Sequence, residues 1–282
     1  MPQALILGCG DLGRRLADRL IADGFDVTGV RRSVFSLPGG RALSLDLAAP
    51  RALEQLPSRV DVVVIALTPA ERTPEAYRAT FVDLPRRVAG AVSAPRWVFV
   101  SSTAVYGQNQ ATLPDGWIDE HVDPVPDRFN GQVLLEAEQC LRERVPRLTA
   151  LRCTGLYGPG RSGLLARALR GEAGDSHWTN RIRIEDAARA AQWCVTTDAP
   201  PAQVIATDLL PLRECDALRA LRSLGQAEEG SNDIPDESGS GRRFRPQVLL
   251  DAGFQWCYPD LMQGYRDLVS TADDSPRARR AL

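Results

Sequence analysis

The first residues in this chain equipped for chemistry are three glycines: Gly8-Cys9-Gly10-Asp11-Leu12-Gly13 has the spacing G-x-G-x-x-G. The pattern alone is weak, because glycine is common. Here an apolar run, Ala4-Leu5-Ile6-Leu7, leads straight into it and a helix-period segment follows. In that context the pattern holds a dinucleotide. Gly8 allows the tight turn, Gly10 lets the backbone approach a pyrophosphate, and Gly13 lets helix and strand pack closely. The N–H groups opening the helix, among Cys9, Asp11 and Leu12, then meet the phosphates.

The second strand indicates which dinucleotide. It runs Asp26-Val27-Thr28-Gly29-Val30 into Arg31-Arg32-Ser33, eighteen residues past Gly13. No carboxylate stands there to accept a ribose 2′-hydroxyl, as it does in NAD sites. Paired guanidiniums bind a 2′-phosphate, and arginine also stacks on adenine. The expected cofactor is therefore NADP(H) in preference to NAD(H). Asp46, closing the third strand, is placed to contact the adenine or to cap its own loop. Ala66 and Leu67, closing the fourth, are further expected cofactor contacts. The fifth strand ends Ser101-Ser102-Thr103-Ala104-Val105-Tyr106-Gly107. Hydroxyls at the carboxyl end of a strand in an open α/β sheet face the cofactor crevice. Ser101, Ser102 and Thr103 are thus expected to face it, the two serines on the cofactor.

These residues need a scaffold, and the first half of the chain supplies its pattern. Short apolar runs at 4–8, 26–30, 42–47, 61–67, 96–102 and 148–153 alternate with helix-period segments at 11–24, 75–92 and 130–144. Runs of near-continuous Val, Ile and Leu separated by helices imply a parallel sheet covered on both faces. Right-handed crossovers make it a doubly wound, Rossmann-type α/β fold. Past residue 153 the rhythm loosens into a strand and helix at 181–196, a strand at 203–208 and a helix at 213–225. The expected organisation is a dinucleotide-binding domain over 1–153, a smaller substrate lobe over 154–270 interleaved with the sheet, and a tail over 271–282. Residues 228–243, acidic and rich in Gly and Ser, read as a loop.

Composition narrows the function. The net charge of −2 argues against a nucleic-acid partner. No apolar run approaches a membrane span and no signal peptide is evident. Six scattered cysteines with no C-x-x-C read as buried thiols in a reducing cytoplasm. All 34 basic residues are arginine, so neither a Schiff base nor a lysine-assisted proton transfer is available. No metal-ligand spacing is evident.

Together the glycine loop and the 101–107 segment resemble the extended and atypical short-chain dehydrogenase/reductase superfamily, of the sugar-nucleotide epimerase/dehydratase type. Leu151-Arg152-Cys153-Thr154-Gly155-Leu156-Tyr157-Gly158-Pro159-Gly160-Arg161 is similar to its L-R-x-x-x-x-Y-G-P-G-R segment. Asn180-Arg181-Ile182-Arg183-Ile184-Glu185-Asp186 is similar to its N-x-I-H-V-x-D segment, and Tyr258-Pro259-Asp260 also fits. The resemblance implies a Ser or Thr working with a Y-x-x-x-K helix. Thr103 matches the hydroxyl, but aligning Glu136–Glu138 puts Asn130 in the place of Tyr and Leu134 in the place of Lys. Four residues are candidates for the missing acid/base group: Tyr106, Tyr157 in a loop that the resemblance places at the same mouth, His121 and Asp83. The resemblance also implies Arg161 and Arg181 as contacts for substrate phosphates, and a homodimer formed through helices 75–92 and 130–144. His177 and Trp178 are candidates to line the substrate pocket. Two functions are expected: an NADP(H)-dependent oxidoreductase or epimerase acting on a small molecule such as a nucleotide sugar, or an NADP(H)-binding sensor without turnover.

Overall fold

The computed structural model describes residues 1–108, 113, 115–224 and 240–273. Most of the expected loop at 228–243, and residues 274–282 of the expected tail, lie outside the described residues; residues 271–273, expected in that tail, instead close the helix Leu261–Asp273. The core is a parallel seven-stranded sheet built from β1 (Gln3–Leu7), β2 (Asp26–Arg31), β3 (Arg41–Ser44), β4 (Val62–Ile65), β5 (Arg96–Ser102), β6 (Leu148–Cys153) and β7 (Gln203–Ala206). Its order is β3-β2-β1-β4-β5-β6-β7. The order reverses between β1 and β4, which pair in register from Ala4↔Val62 to Leu7↔Ile65, while β1 meets β2 from Gln3↔Asp26 to Leu7↔Val30. A crevice opens at the carboxyl ends of strands where the order reverses. Every residue of β4 and of β6 is buried, as continuous apolar runs require when both faces are covered. β3 is shorter than its apolar run suggests, because it lies at the sheet edge and none of its residues is fully buried.

Helix α1 (Asp11–Ala22) buries Leu12, Leu16, Ala17 and Leu20, a stripe at helical spacing. The segment expected as one helix over 75–92 has three parts. They are α2 (Pro74–Arg78), a π turn over Ala79–Asp83, and α3 (Leu84–Ala91). Pro85 explains the interruption: it has no N–H for the carbonyl of Phe81, and its ring crowds that carbonyl. The helix takes in an extra residue immediately before it, the usual form of a π bulge. Helix α4 (Phe129–Arg142) comes next.

The chain divides into two compact units, Met1–Gly107 with Asp123–Arg152 and Ala188–Val204, and Gln108–Val122 with Cys153–Ala187 and Ile205–Leu282. The boundary differs from the expected one because residues 188–204 carry most of a further helix and the start of β7, which continue the α/β alternation. Segment 108–122 belongs to the second unit, where the buried Glu120 carboxylate accepts the Ile205 N–H at 2.8 Å and the Val248 N–H at 3.3 Å. The second unit has its own core, with Leu164, Leu165, Leu218, Leu221, Leu261 and Tyr265 packed around Tyr157. Among the described residues no helix is long and apolar enough to cross a membrane.

Candidate functional site

The glycine loop takes the form its spacing demands. Gly8 has φ +90°, and a Cβ there would lie 2.3 Å from the Ala66 carbonyl oxygen. A Cβ on Gly13 would lie 2.4 Å from the Gly8 carbonyl oxygen. α1, β1 and the turn beyond β4 therefore meet backbone to backbone. Gly10 differs, since a Cβ there would have nothing within 4 Å. It faces open space at the start of α1, where the helix dipole favours an anion. Cys9 points inward against Gly29, and burial raises its thiol to about 11, so it carries no thiolate at neutral pH.

A cleft of about 470 Å³ opens beside this loop. Its walls take in Gly8, Gly10, Arg31, Arg32, Asp46, Ala66 and Leu67, seven of the expected cofactor contacts, and it also reaches Ser33, Thr68, Thr80, Asp83, Leu84 and Arg87. Arg31 donates from Nε to Ser33 Oγ at 2.9 Å and lies over the Phe35 ring at 5.5 Å. Asp46 accepts the Ala48 N–H at 3.0 Å, which is the loop-capping alternative; it lines the cleft as well. Of the other expected contacts, Leu12 and Gly13 are buried in the helix–sheet packing, and Asp11 pairs with Arg15 at 3.1 Å.

The end of β5 leads into a buried polar network. Ser101 Oγ donates to Glu138 Oε1 at 2.7 Å. Arg152 grips the same carboxylate with Nε at 3.1 Å and Nη2 at 2.7 Å, and donates from Nη1 to the Tyr106 hydroxyl at 2.6 Å. Glu138, Arg152 and Tyr106 are fully buried. Tyr106 therefore sits in the interior, held by a guanidinium, and not at the cleft where a proton donor was expected. Ser102 Oγ accepts the Ala104 N–H at 3.2 Å and so caps the turn that carries the buried Thr103. α4 approaches this turn so closely that a Cβ on Gly131 would lie 2.0 Å from the Ala104 carbonyl oxygen. None of Ser101, Ser102, Thr103 and Tyr106 lines the 470 Å³ cleft.

The second unit holds a cleft of about 480 Å³ lined by four arginines, Arg161, Arg167, Arg170 and Arg181, together with Tyr157 and Tyr265. Arg167 is bound to Glu214 and Glu172, and Arg170 to Glu172. Arg181 donates from Nε to Thr179 Oγ1 at 2.8 Å. Tyr157 stacks on Tyr265 with centroids 4.8 Å apart. Burial, with the Asp208 carboxylate adding to it, pushes its phenol well above the ordinary range. His177 and Trp178 do not line this cleft. His177 lies between Asp175 and Glu214, and Trp178 packs on Arg243 at 5.1 Å. The ligand atoms of Asp175, His177 and Glu214 come within 4.8 Å of one another, a grouping the sequence spacing did not reveal. Both oxygens of Glu214 are taken by Arg167, however, so the trio is an ion-pair cluster. His121 is an exposed loop residue beside Asp119.

A model of the NAD-dependent epimerase/dehydratase family matches residues 4–176, more than half of the chain. The chain belongs to that family. It is similar to Protein YeeZ of Escherichia coli strain K12, 27% identical over 277 residues, with 92% of this chain and 97% of YeeZ covered. It is similar also to a solved structure from Methylobacillus flagellatus assigned as an NAD-dependent epimerase/dehydratase, at 32% identity and TM-score 0.78 over 96% of this chain and 99% of that one. A likeness of fold extends to MoeE5, solved with UDP-glucose and NAD, at 23% identity and TM-score 0.72 over 93% and 95% of the two chains.

As an epimerase/dehydratase family member, this chain departs from the pattern at α4. Leu134, in the place the resemblance gives to lysine, is a buried apolar side chain, and Asn130 is half-buried one turn before it. One turn further on, Glu138 is paired with Arg152.

Proposed function

We propose that this protein binds NADP(H) in the 470 Å³ cleft and acts as an oxidoreductase or epimerase on a small molecule bearing phosphate. One observation carries the cofactor reading: Gly8 and Gly10 share a single cleft with Arg31, Arg32 and Ser33. The open cradle at Gly10 suits a pyrophosphate. The guanidiniums at the end of β2 suit a 2′-phosphate, where a carboxylate would repel it. The bound nicotinamide would supply hydride exchange. The chain's own contribution is to fix the dinucleotide at the loop; the Thr103 hydroxyl, in the turn after β5 and outside the cleft, is the group this reading assigns to polarise a carbonyl. Within the second unit, the cationic lining of Arg161 and Arg181 beside neutral Tyr157 suits the phosphate of such a molecule. This reading draws support from fold relatives solved with UDP-glucose. Side-by-side titration with NADPH and NADH tests the cofactor. Hydride exchange from NADPH across a panel of carbonyl compounds and nucleotide sugars tests turnover, and loss of that turnover in Thr103→Val tests the hydroxyl.

The second reading, an NADP(H)-binding sensor without turnover, is favoured by Leu134 and by the enclosure of Tyr106. It predicts cofactor binding with no hydride exchange on any member of the panel. A homodimer through the 74–91 segment and α4 is part of the enzyme reading, and a monomer mass by light scattering would remove it.

A further inference from the structure

The 470 Å³ cleft has a wall that the glycine motif does not supply. Thr80, Asp83, Leu84 and Arg87 all line it, spaced three and four residues apart, so one face of the α2–α3 segment is turned toward the cleft. The π turn over Ala79–Asp83 lies within this segment. A π turn adds a residue and rotates everything after it relative to an uninterrupted helix. The rotation forced before Pro85 therefore sets which face, and which arginine, reaches the cleft.

The charges in the cleft are unequally engaged. Asp83 is beside Arg86 at 3.6 Å, Asp46 is occupied by the Ala48 N–H, and Arg31 is held by Ser33 and Phe35. Arg32 and Arg87 are exposed and have no carboxylate or other hydrogen-bond partner among the described residues. Two unengaged guanidiniums in one cleft present a surplus of donors. The group in NADP(H) that needs them is the 2′-phosphate, a monoester with a charge of about −1.5 to −2 at neutral pH and three acceptor oxygens. One arginine satisfies two of those oxygens in a bidentate pair.

We propose that Arg87 is a specificity residue for the cofactor, binding the 2′-phosphate of NADP(H) together with Arg32. This rests on the NADP(H) reading above. Arg87 would add little to NADH binding, since NADH lacks that group and the exposed guanidinium is screened by salt from the pyrophosphate.

The test is calorimetric titration of the wild-type chain, Arg87→Ala and Arg87→Lys with NADPH, NADH, 2′,5′-ADP and 5′-AMP in 0.15 M salt. The expected result is at least tenfold weaker binding of NADPH and 2′,5′-ADP to Arg87→Ala. NADH and 5′-AMP stay within twofold of wild type, and Arg87→Lys falls between. Equal losses for both members of each pair would place Arg87 on the pyrophosphate or adenine and overturn the assignment. So would no loss for any ligand. A wild-type chain that prefers NADPH while Arg87→Ala changes nothing refutes Arg87 alone. A wild-type chain with no preference removes the NADP(H) reading, and this assignment with it.

Discussion

Gly10 and Gly13 stand three residues apart in one motif, yet the structure assigns them opposite sensitivities to a methyl group. In Gly13→Ala the new Cβ would lie 2.4 Å from the Gly8 carbonyl oxygen and 3.3 Å from Ile6 Cγ2. Ordinary carbon contacts begin near about 3.5 Å, so α1 must move by roughly 1 Å against backbone. Such overpacking costs about 1–3 kcal/mol, offset by about 1 kcal/mol from the better helix propensity of alanine. A 2.4 Å contact with backbone belongs at the upper end of that range, so the net loss is about 1–2 kcal/mol and lowers the melting temperature by about 2–8 °C. In Gly10→Ala nothing lies within 4 Å of the new Cβ, so stability changes by no more than about 0.5 kcal/mol. The methyl group instead fills the cradle a pyrophosphate would occupy, and NADPH binding weakens at least tenfold, about 1.4 kcal/mol. Thermal melts followed by dichroism, paired with calorimetric titration, read both effects on the same samples. Wild-type affinity in Gly10→Ala, or wild-type stability in Gly13→Ala, would refute this account of the loop.

Three further outcomes are expected. Glu138→Ala strands the fully buried Arg152 guanidinium and should cost about 3–5 kcal/mol in denaturant unfolding; a loss below about 1 kcal/mol would show that the pair is dispensable. Burial, reinforced by the Asp260 carboxylate, holds the Asp208 carboxyl well above its ordinary range, so the folded chain keeps a proton that the unfolded chain releases above about pH 4. Stability then falls as pH rises through the interval above that value. Asp208→Asn cannot ionise and should melt higher than wild type at pH 8, with the gap closing toward pH 5; parallel profiles would contradict this. Replacing both Arg31 and Arg32 with alanine should abolish a preference for NADPH while leaving NADH binding within about threefold, and an intact preference in that variant would move the 2′-phosphate elsewhere.

The sheet was legible because its strands are long, apolar and buried on both faces. The runs at 96–102 and 148–153 coincide with β5 and β6 to the residue. The glycine loop was legible because Gly8 and Gly13 each meet backbone that leaves no room for a Cβ, while Gly10 keeps the space beside them open. The 75–92 segment was misread as one helix. Pro85 carried the warning, but a sequence gives no measure of how far a π turn rotates the residues beyond it, and Arg87 was missed for that reason. The Glu138–Arg152–Tyr106 network joins α4, β6 and the turn after β5, and no local pattern reports a contact between such distant segments. Tyr106 looked like a proton donor from its position after Thr103, and burial against Arg152 removes it from the cleft. The grouping of Arg161, Arg167, Arg170 and Arg181 was half visible through the motif arginines. Arg167 and Arg170 come from the helix Gly163–Leu169 and the residue after it, and only the packing of that helix brings them in.

The measurement that bears most directly on the central claim is side-by-side calorimetric titration of the unmodified protein with NADPH and NADH. A cleft that joins Gly8 and Gly10 to Arg31 and Arg32 predicts NADPH binding at least tenfold tighter, about 1.4 kcal/mol. Equal affinity for the two, or no binding of either, would contradict it.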